Sequence, residues 1–125
     1  MQIVNNRESL SNKIREYRSR RNKITLIPTM GNLHQGHQVL FSKAPNNTIK
    51  VATIYVNPLQ FNNNNDYQNY PRNLKTDLEV CRHNKISLVY APDGDISNKI
   101  VIEKNIDLPK FTRYLCGEKR EGHFL

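Results

Sequence analysis

Apolar residues recur along the chain in short runs and helical stripes, separated by polar punctuation. Leu10, Ile14 and Tyr17 fall on one face of a helix expected over Arg7 to Arg21, with Asn6 as its cap. Ile24-Thr25-Leu26-Ile27 is a compact apolar run closed by Pro28, which predicts a short buried strand. Gly31 and Gly36 break the next stretch, and a helix is expected from near Gly36 to Ala44, followed by a turn at Pro45-Asn46-Asn47. Val51 to Val56 is rich in β-branched residues and reads as the clearest strand. Asn57 to Arg72 is polar, contains the run Asn62 to Asn65, and reads as a loop. A helix over Asn73 to Asn84 carries Leu74, Leu78 and Cys81 on one side. Ser87-Leu88-Val89-Tyr90 reads as a third strand closed by Ala91-Pro92, Ile100-Val101-Ile102 as a fourth, and Leu108 to Leu115 as a short helix.

Strands alternating with helices predict an α/β domain built on a parallel sheet, with right-handed crossovers. Ligands of such sheets bind beyond the carboxyl ends of the strands. The segments after Ile27 and after Val56 leave such ends, so chemistry is sought there.

Composition narrows the function classes. Hydrophobic residues make up 37% of the 125, with no apolar run near the roughly 18 residues of a spanning helix. The start, Met1 to Arg7, lacks the apolar core of a signal peptide, so a cytoplasmic protein without membrane partners is expected. Cys81 and Cys116 show no disulfide framework or CxxC spacing and are read as reduced thiols. The formal net charge of +8 favours anionic partners without choosing among them. Arg15, Arg18, Arg20, Arg21 and Lys23 form one basic cluster, and Lys110, Arg113, Lys119 and Arg120 another. A nucleic-acid binder would interleave aromatics with these residues, and only Tyr17 lies inside the first cluster. No nucleic-acid partner is therefore expected.

The segment after the first strand reads Pro28-Thr29-Met30-Gly31-Asn32-Leu33-His34-Gln35-Gly36-His37. A glycine between two histidines lets backbone approach a ligand, and a helix beginning there favours phosphate. At positions i and i+3 both imidazoles share a face and can donate to phosphate oxygens. Two polar surface histidines, or a metal pair lacking an obvious third ligand, are the competing readings.

The segment resembles the HxGH signature of the nucleotidyltransferase superfamily. Val56-Asn57-Pro58-Leu59-Gln60-Phe61, Asp66, Tyr70-Pro71-Arg72 and the stretch Gly117 to Phe124 make the chain similar to the pantoate-β-alanine ligase (pantothenate synthetase) family. The resemblance covers nearly the whole chain but only the N-terminal part of that family's protein. It implies an incomplete Rossmann-like domain over residues 1–125, without the family's C-terminal substrate-closing domain. It implies a two-step reaction in which ATP and pantoate give pantoyl adenylate, whose acyl group then passes to β-alanine. Magnesium accompanies ATP. By the resemblance, Met30, Gly31, Asn32, Leu33, His34, Gln35, Gly36 and His37 line the ATP site. His37 matches the family's proton donor and His34 the histidine beside the phosphates. Gln60 matches the glutamine that binds pantoate and then β-alanine, Asn57 and Tyr70 match other pocket positions, and Arg120 matches an arginine whose loop covers the site. The family resemblance allows a homodimer, and no metal-ligating residue is assigned. Asp77 reads either as a magnesium contact or as an exposed helix carboxylate, with exposure the expectation.

Departures bear on activity. Glu121 replaces the proline of the family's Arg-Pro-Gly-His-Phe segment, and the stretch Pro92 to Lys99 is short. The Gly-x-Lys-Asp and Ser-Ser-Arg-Asn segments, which supply phosphate-clamping side chains, do not occur in these 125 residues. The chain alone is thus expected to be a weak or inactive ligase. A nucleotide-binding remnant, or an adenylyltransferase with another acceptor, is the alternative.

Overall fold

The computed structural model describes residues 1–93. In chain order the elements are β1 (Gln2–Val4), α1 (Arg7–Ser19), β2 (Lys23–Thr29), α2 (Gln35–Lys43), β3 (Thr48–Ile54), a 3-10 turn (Pro58–Gln60), α3 (Asn64–Asn69), α4 (Leu74–His83) and β4 (Leu88–Tyr90). Two compact units separate: Met1–Val56 with the described residues from Pro71 onward, and Asn57–Tyr70. Each is described by itself. The expected strand at Ile100 to Ile102, the expected helix at Leu108 to Leu115, and Cys116, Arg120 and Glu121 lie outside the described residues.

The first unit is a four-stranded, all-parallel sheet in the order β1-β4-β3-β2. β2 and β3 pair over their full length, from Lys23 opposite Thr48 to Thr29 opposite Ile54. One sheet face carries the core: Ile27, Ala52 and Val89 cluster with Phe41 of α2, Cys81 of α4, and Ala44, Ile86 and Ala91. Phe41, Ala52, Cys81 and Val89 are fully buried, so α2 and α4 are held against this face by apolar burial. Burial pushes the Cys81 thiol up to about 11, with the nearby Asp77 charge adding to the effect, which leaves an inert thiol.

Asn6 caps α1 as the pattern predicts, its Oδ1 accepting the Ser9 N–H at 2.8 Å. Four expectations change. β2 runs through Pro28, which pairs opposite Thr53, instead of ending there. Among the described residues β2 lies at the sheet edge, where a proline's missing N–H interrupts no ladder. Leu26 is 59% exposed on this strand, so β2 is not the buried strand expected. In α4, Leu74 is exposed and the buried side is formed by Asp77 and Cys81, with Leu78 and Val80 packed beside them. The polar stretch after Asn57 is not all loop: Asn63 Oδ1 accepts the Asn65 N–H at 2.8 Å and starts α3.

Candidate functional site

The segment leaving β2 is tied to its surroundings residue by residue. The Thr29 hydroxyl donates to the Thr53 carbonyl at 2.8 Å and accepts the Gly31 N–H at 3.2 Å. Gly31 and Asn32 both take left-handed backbone, with φ of 76° and 50°. Successive left-handed turns bring the Asn32 and Leu33 N–H groups onto one carboxylate, that of Asp77 on α4. They donate to Oδ2 at 3.0 Å and to Oδ1 at 2.9 Å. Leu33 packs its side chain against the core.

His34 is then the N-cap of α2. Its Nδ1 accepts the Gly36 N–H at 3.0 Å, while His37 Nδ1 accepts the His34 N–H at 3.2 Å. This reciprocal arrangement is a capping box made by two imidazoles in place of the usual Ser and Glu. An Nδ1 that accepts carries no proton, so both neutral rings are Nε2–H tautomers. The rings stand 4.2 Å apart between centroids, tilted by 56°. Gly36 is required by the same geometry: a Cβ there would lie 2.8 Å from His34 Cε1 and 3.1 Å from Nδ1. The glycine of the His-x-Gly-His sequence therefore makes room for an imidazole. Its amide, like that of Gly31, is already bonded within the loop. The donors left for an anion include the two Nε2–H groups, which bond to no described residue.

Partial burial lowers the His37 pKa, and the His34 ring lowers it further; the Asp77 carboxylate opposes both. The neutral ring that caps the helix is thus also the electrostatically preferred form.

Asn57, Gln60 and Tyr70, the other expected site residues among those described, are in the second unit. Asn57 caps the 3-10 turn, its Oδ1 accepting the Leu59 N–H at 3.0 Å. Gln60 is half-buried at the end of that turn, and no described residue bonds its side-chain amide. The Tyr70 ring packs edge-on to Phe61, with centroids 5.7 Å apart, and Tyr67 meets the same ring at 5.6 Å. These residues belong to the second unit. Of the first basic cluster, Arg20 pairs with Glu16 at 3.3 Å and Lys23 opens β2. That end of the strand is opposite to the one bearing His34 and His37. Among the described residues no three ligating side chains gather to hold a metal.

Asp77 is the residue that sequence reasoning placed wrongly. It is 3% exposed, and both oxygens are occupied by amides, so it is neither an exposed helix carboxylate nor a free metal contact. The signal lies in its spacing: three residues after Leu74 and four before Cys81, on the apolar stripe of α4.

Comparison with known proteins agrees with the resemblance. The family model described as Pantoate-beta-alanine ligase matches residues 2–125. A pantothenate synthetase of Clostridium botulinum is 39% identical over 127 residues, covering 99% of this chain and 44% of the relative. One from Aliivibrio fischeri is 40% identical over 118 residues, covering 92% of this chain and 40% of the relative. The chain thus spans less than half the length of these curated relatives. Among solved structures, the Francisella tularensis pantoate-beta-alanine ligase complexed with beta-gamma ATP and beta-alanine superposes with a TM-score of 0.82 at 35% identity. It covers 99% of this chain, which spans 48% of that structure. Pantothenate synthetase from Thermus thermophilus gives 0.76 at 32% identity, covering 99% of this chain and 44% of that one.

Proposed function

We propose, for a chain that belongs to the pantoate-beta-alanine ligase family, that it supplies the nucleotide-binding part of an ATP-dependent condensation of pantoate with β-alanine. The observation that carries this is the paired-imidazole capping box at the carboxyl end of β2, which leaves two Nε2–H donors for phosphate oxygens. The Francisella relative, named for its complex with beta-gamma ATP and beta-alanine, supports both substrates.

In the first step the pantoate carboxylate attacks the α-phosphorus of ATP, forming pantoyl adenylate and releasing pyrophosphate. In the second the β-alanine amine attacks the acyl carbon, forming pantothenate and releasing AMP. Residues Met30 to His37 form the nucleotide segment. His34 and His37 donate to phosphate oxygens, and donors already in place stabilise the charge that moves onto them in the first step. In this neutral form His37 serves that oxygen as a hydrogen-bond donor, and the proton-donor role that the resemblance implies would need its imidazolium form. Gln60 offers a donor and an acceptor to the hydroxyls and carboxylate of pantoate, and then to β-alanine. Asn57, Tyr70 and Arg120 complete the substrate contacts, and a homodimer is part of the same reading. Magnesium would arrive with the triphosphate. The described residues gather no ligand set for it, so no step is routed through it.

The 125 residues alone are expected to turn over slowly. Loss of one preorganised donor costs about 10²–10³ in rate, and a pair of imidazoles is a small share of the charge stabilisation that adenylate formation needs. The test is AMP release by the chain with ATP, pantoate and β-alanine, compared with His37→Ala. Release that requires both co-substrates, below the roughly 1–10 s⁻¹ of an ordinary enzyme, is expected. Release indifferent to either co-substrate contradicts the reading.

A further inference from the structure

Asp77 presents a problem that the fold alone does not solve. Its carboxylate is 3% exposed, and among the described residues no cation bonds it. It sits on the side of α4 that otherwise carries Leu78, Val80 and Cys81 into the core. Removing a carboxylate from water is unfavourable unless its lone pairs are satisfied, and an apolar side chain would pack there without that penalty. What satisfies it is the nucleotide segment. The N–H groups of Asn32 and Leu33 bind its two oxygens at 3.0 and 2.9 Å, and the residue that follows is the N-cap His34. Two successive amides need two acceptors with no donor between them, which a carboxylate provides and a carboxamide does not. Gly31 fits the same contact: a Cβ there would stand 2.8 Å from Asp77 Oδ2.

We propose that Asp77 is the positioning residue of the imidazole pair: its carboxylate fixes the left-handed turn at Gly31 to Leu33 and so sets His34 and His37 in their capping box with both Nε2–H groups free for one phosphate group. The role rests on the nucleotide reading of this loop. It places on α4, remote in sequence, a determinant of nucleotide affinity that makes no contact with nucleotide. The carboxylate adds negative charge behind a phosphate site, but that charge is spread into two amides.

The test compares the full chain with Asp77→Asn and Asp77→Glu. Without ligand, two-bond ¹H–¹⁵N spectra of the imidazoles read the tautomers, and hydrogen exchange reads the Asn32 and Leu33 amides. In the parent chain at pH 8, both rings are expected as Nε2–H tautomers with those two amides protected. Asp77→Asn is expected to mix the tautomers, speed exchange at both amides about tenfold and weaken ATP binding about tenfold, the loss of one charge-assisted hydrogen bond. Asp77→Glu keeps both acceptors and restores part of each. Where Asp77→Asn fails to fold, Gly31→Ala displaces the carboxylate without removing its charge and is read the same way. Tautomers and ATP affinity in Asp77→Asn within twofold of the parent overturn the proposal. A parent chain with fixed tautomers and no ATP binding contradicts the nucleotide reading, while the ring and amide readouts still decide the positioning role.

Discussion

His37 Nδ1 accepts the backbone N–H of His34 at 3.2 Å, so the second histidine of the pair holds the first at the start of α2. Each ring spends one nitrogen on the helix and keeps the other for solvent or ligand. Structure and binding thus reside on different atoms of the same side chains, and substitution separates them.

Replacing His34 by alanine removes the cap and is expected to destabilise the domain by about 1 kcal/mol. His34→Asn restores a side-chain acceptor for the Gly36 amide but offers no Nε2–H. It is expected to recover most of the stability and none of the ATP affinity. Thermal melts paired with ATP titrations of the two variants check this.

The pH dependence has a definite sign. The His37 pKa is lowered in the folded state, first by burial and then by the His34 ring. The unfolded chain therefore binds the proton more readily. The stabilising contribution is present above the unfolded value of about 6.5 and is lost as pH falls through the lowered native value. Protonation also places a hydrogen on the Nδ1 that accepts from His34. Melting curves between pH 8 and 5 are expected to show a loss of stability that is reduced in His37→Gln.

Gly31 is held at φ 76°, and a Cβ would meet Asp77 Oδ2 at 2.8 Å and Ile54 Cγ2 at 3.2 Å. Gly31→Ala is expected to lose about 1–2 kcal/mol from left-handed strain alone, with further loss from moving the carboxylate. Denaturant unfolding measures the sum, and a loss below about 0.5 kcal/mol, the scatter of an ordinary surface change, contradicts the contact.

Tyr90 is 8% exposed at the end of β4, and its hydroxyl bonds to no described residue. A buried donor without a partner is unfavourable. Tyr90→Phe is therefore expected to stabilise the domain by roughly 1 kcal/mol, read as a higher melting temperature.

Much of this fold is legible in the sequence because its strands and helices carry strong local signals. The β-branched run at Val51, the Asn6 cap and the stripe through Cys81 predict β3, α1 and α4. What escaped depends on partners distant in the chain. β1 is a three-residue strand whose apolar pair, Ile3 and Val4, gains strand geometry only by pairing with β4. Pro28 stops a central strand but not an edge strand, and no local pattern tells the two apart. The two histidines are visible as a motif, but the loop amides expected to receive phosphate are bonded internally. Asp77 forms its contacts 44 and 45 residues away in sequence, so its burial follows from the fold and not from its neighbours.

The central claim is that nucleotide phosphate is held by the Nε2–H groups of a paired-imidazole cap. The most direct measurement is an ATP titration of the ¹⁵N-labelled chain at pH 8, following the four nitrogens of His34 and His37. The account predicts shifts at both Nε2 atoms, with each Nδ1 unprotonated throughout and the Gly31 and Gly36 amides retaining their internal bonds. Protonation appearing at either Nδ1 on binding, or shifts confined to Arg15, Arg18, Arg20, Arg21 and Lys23, would contradict it.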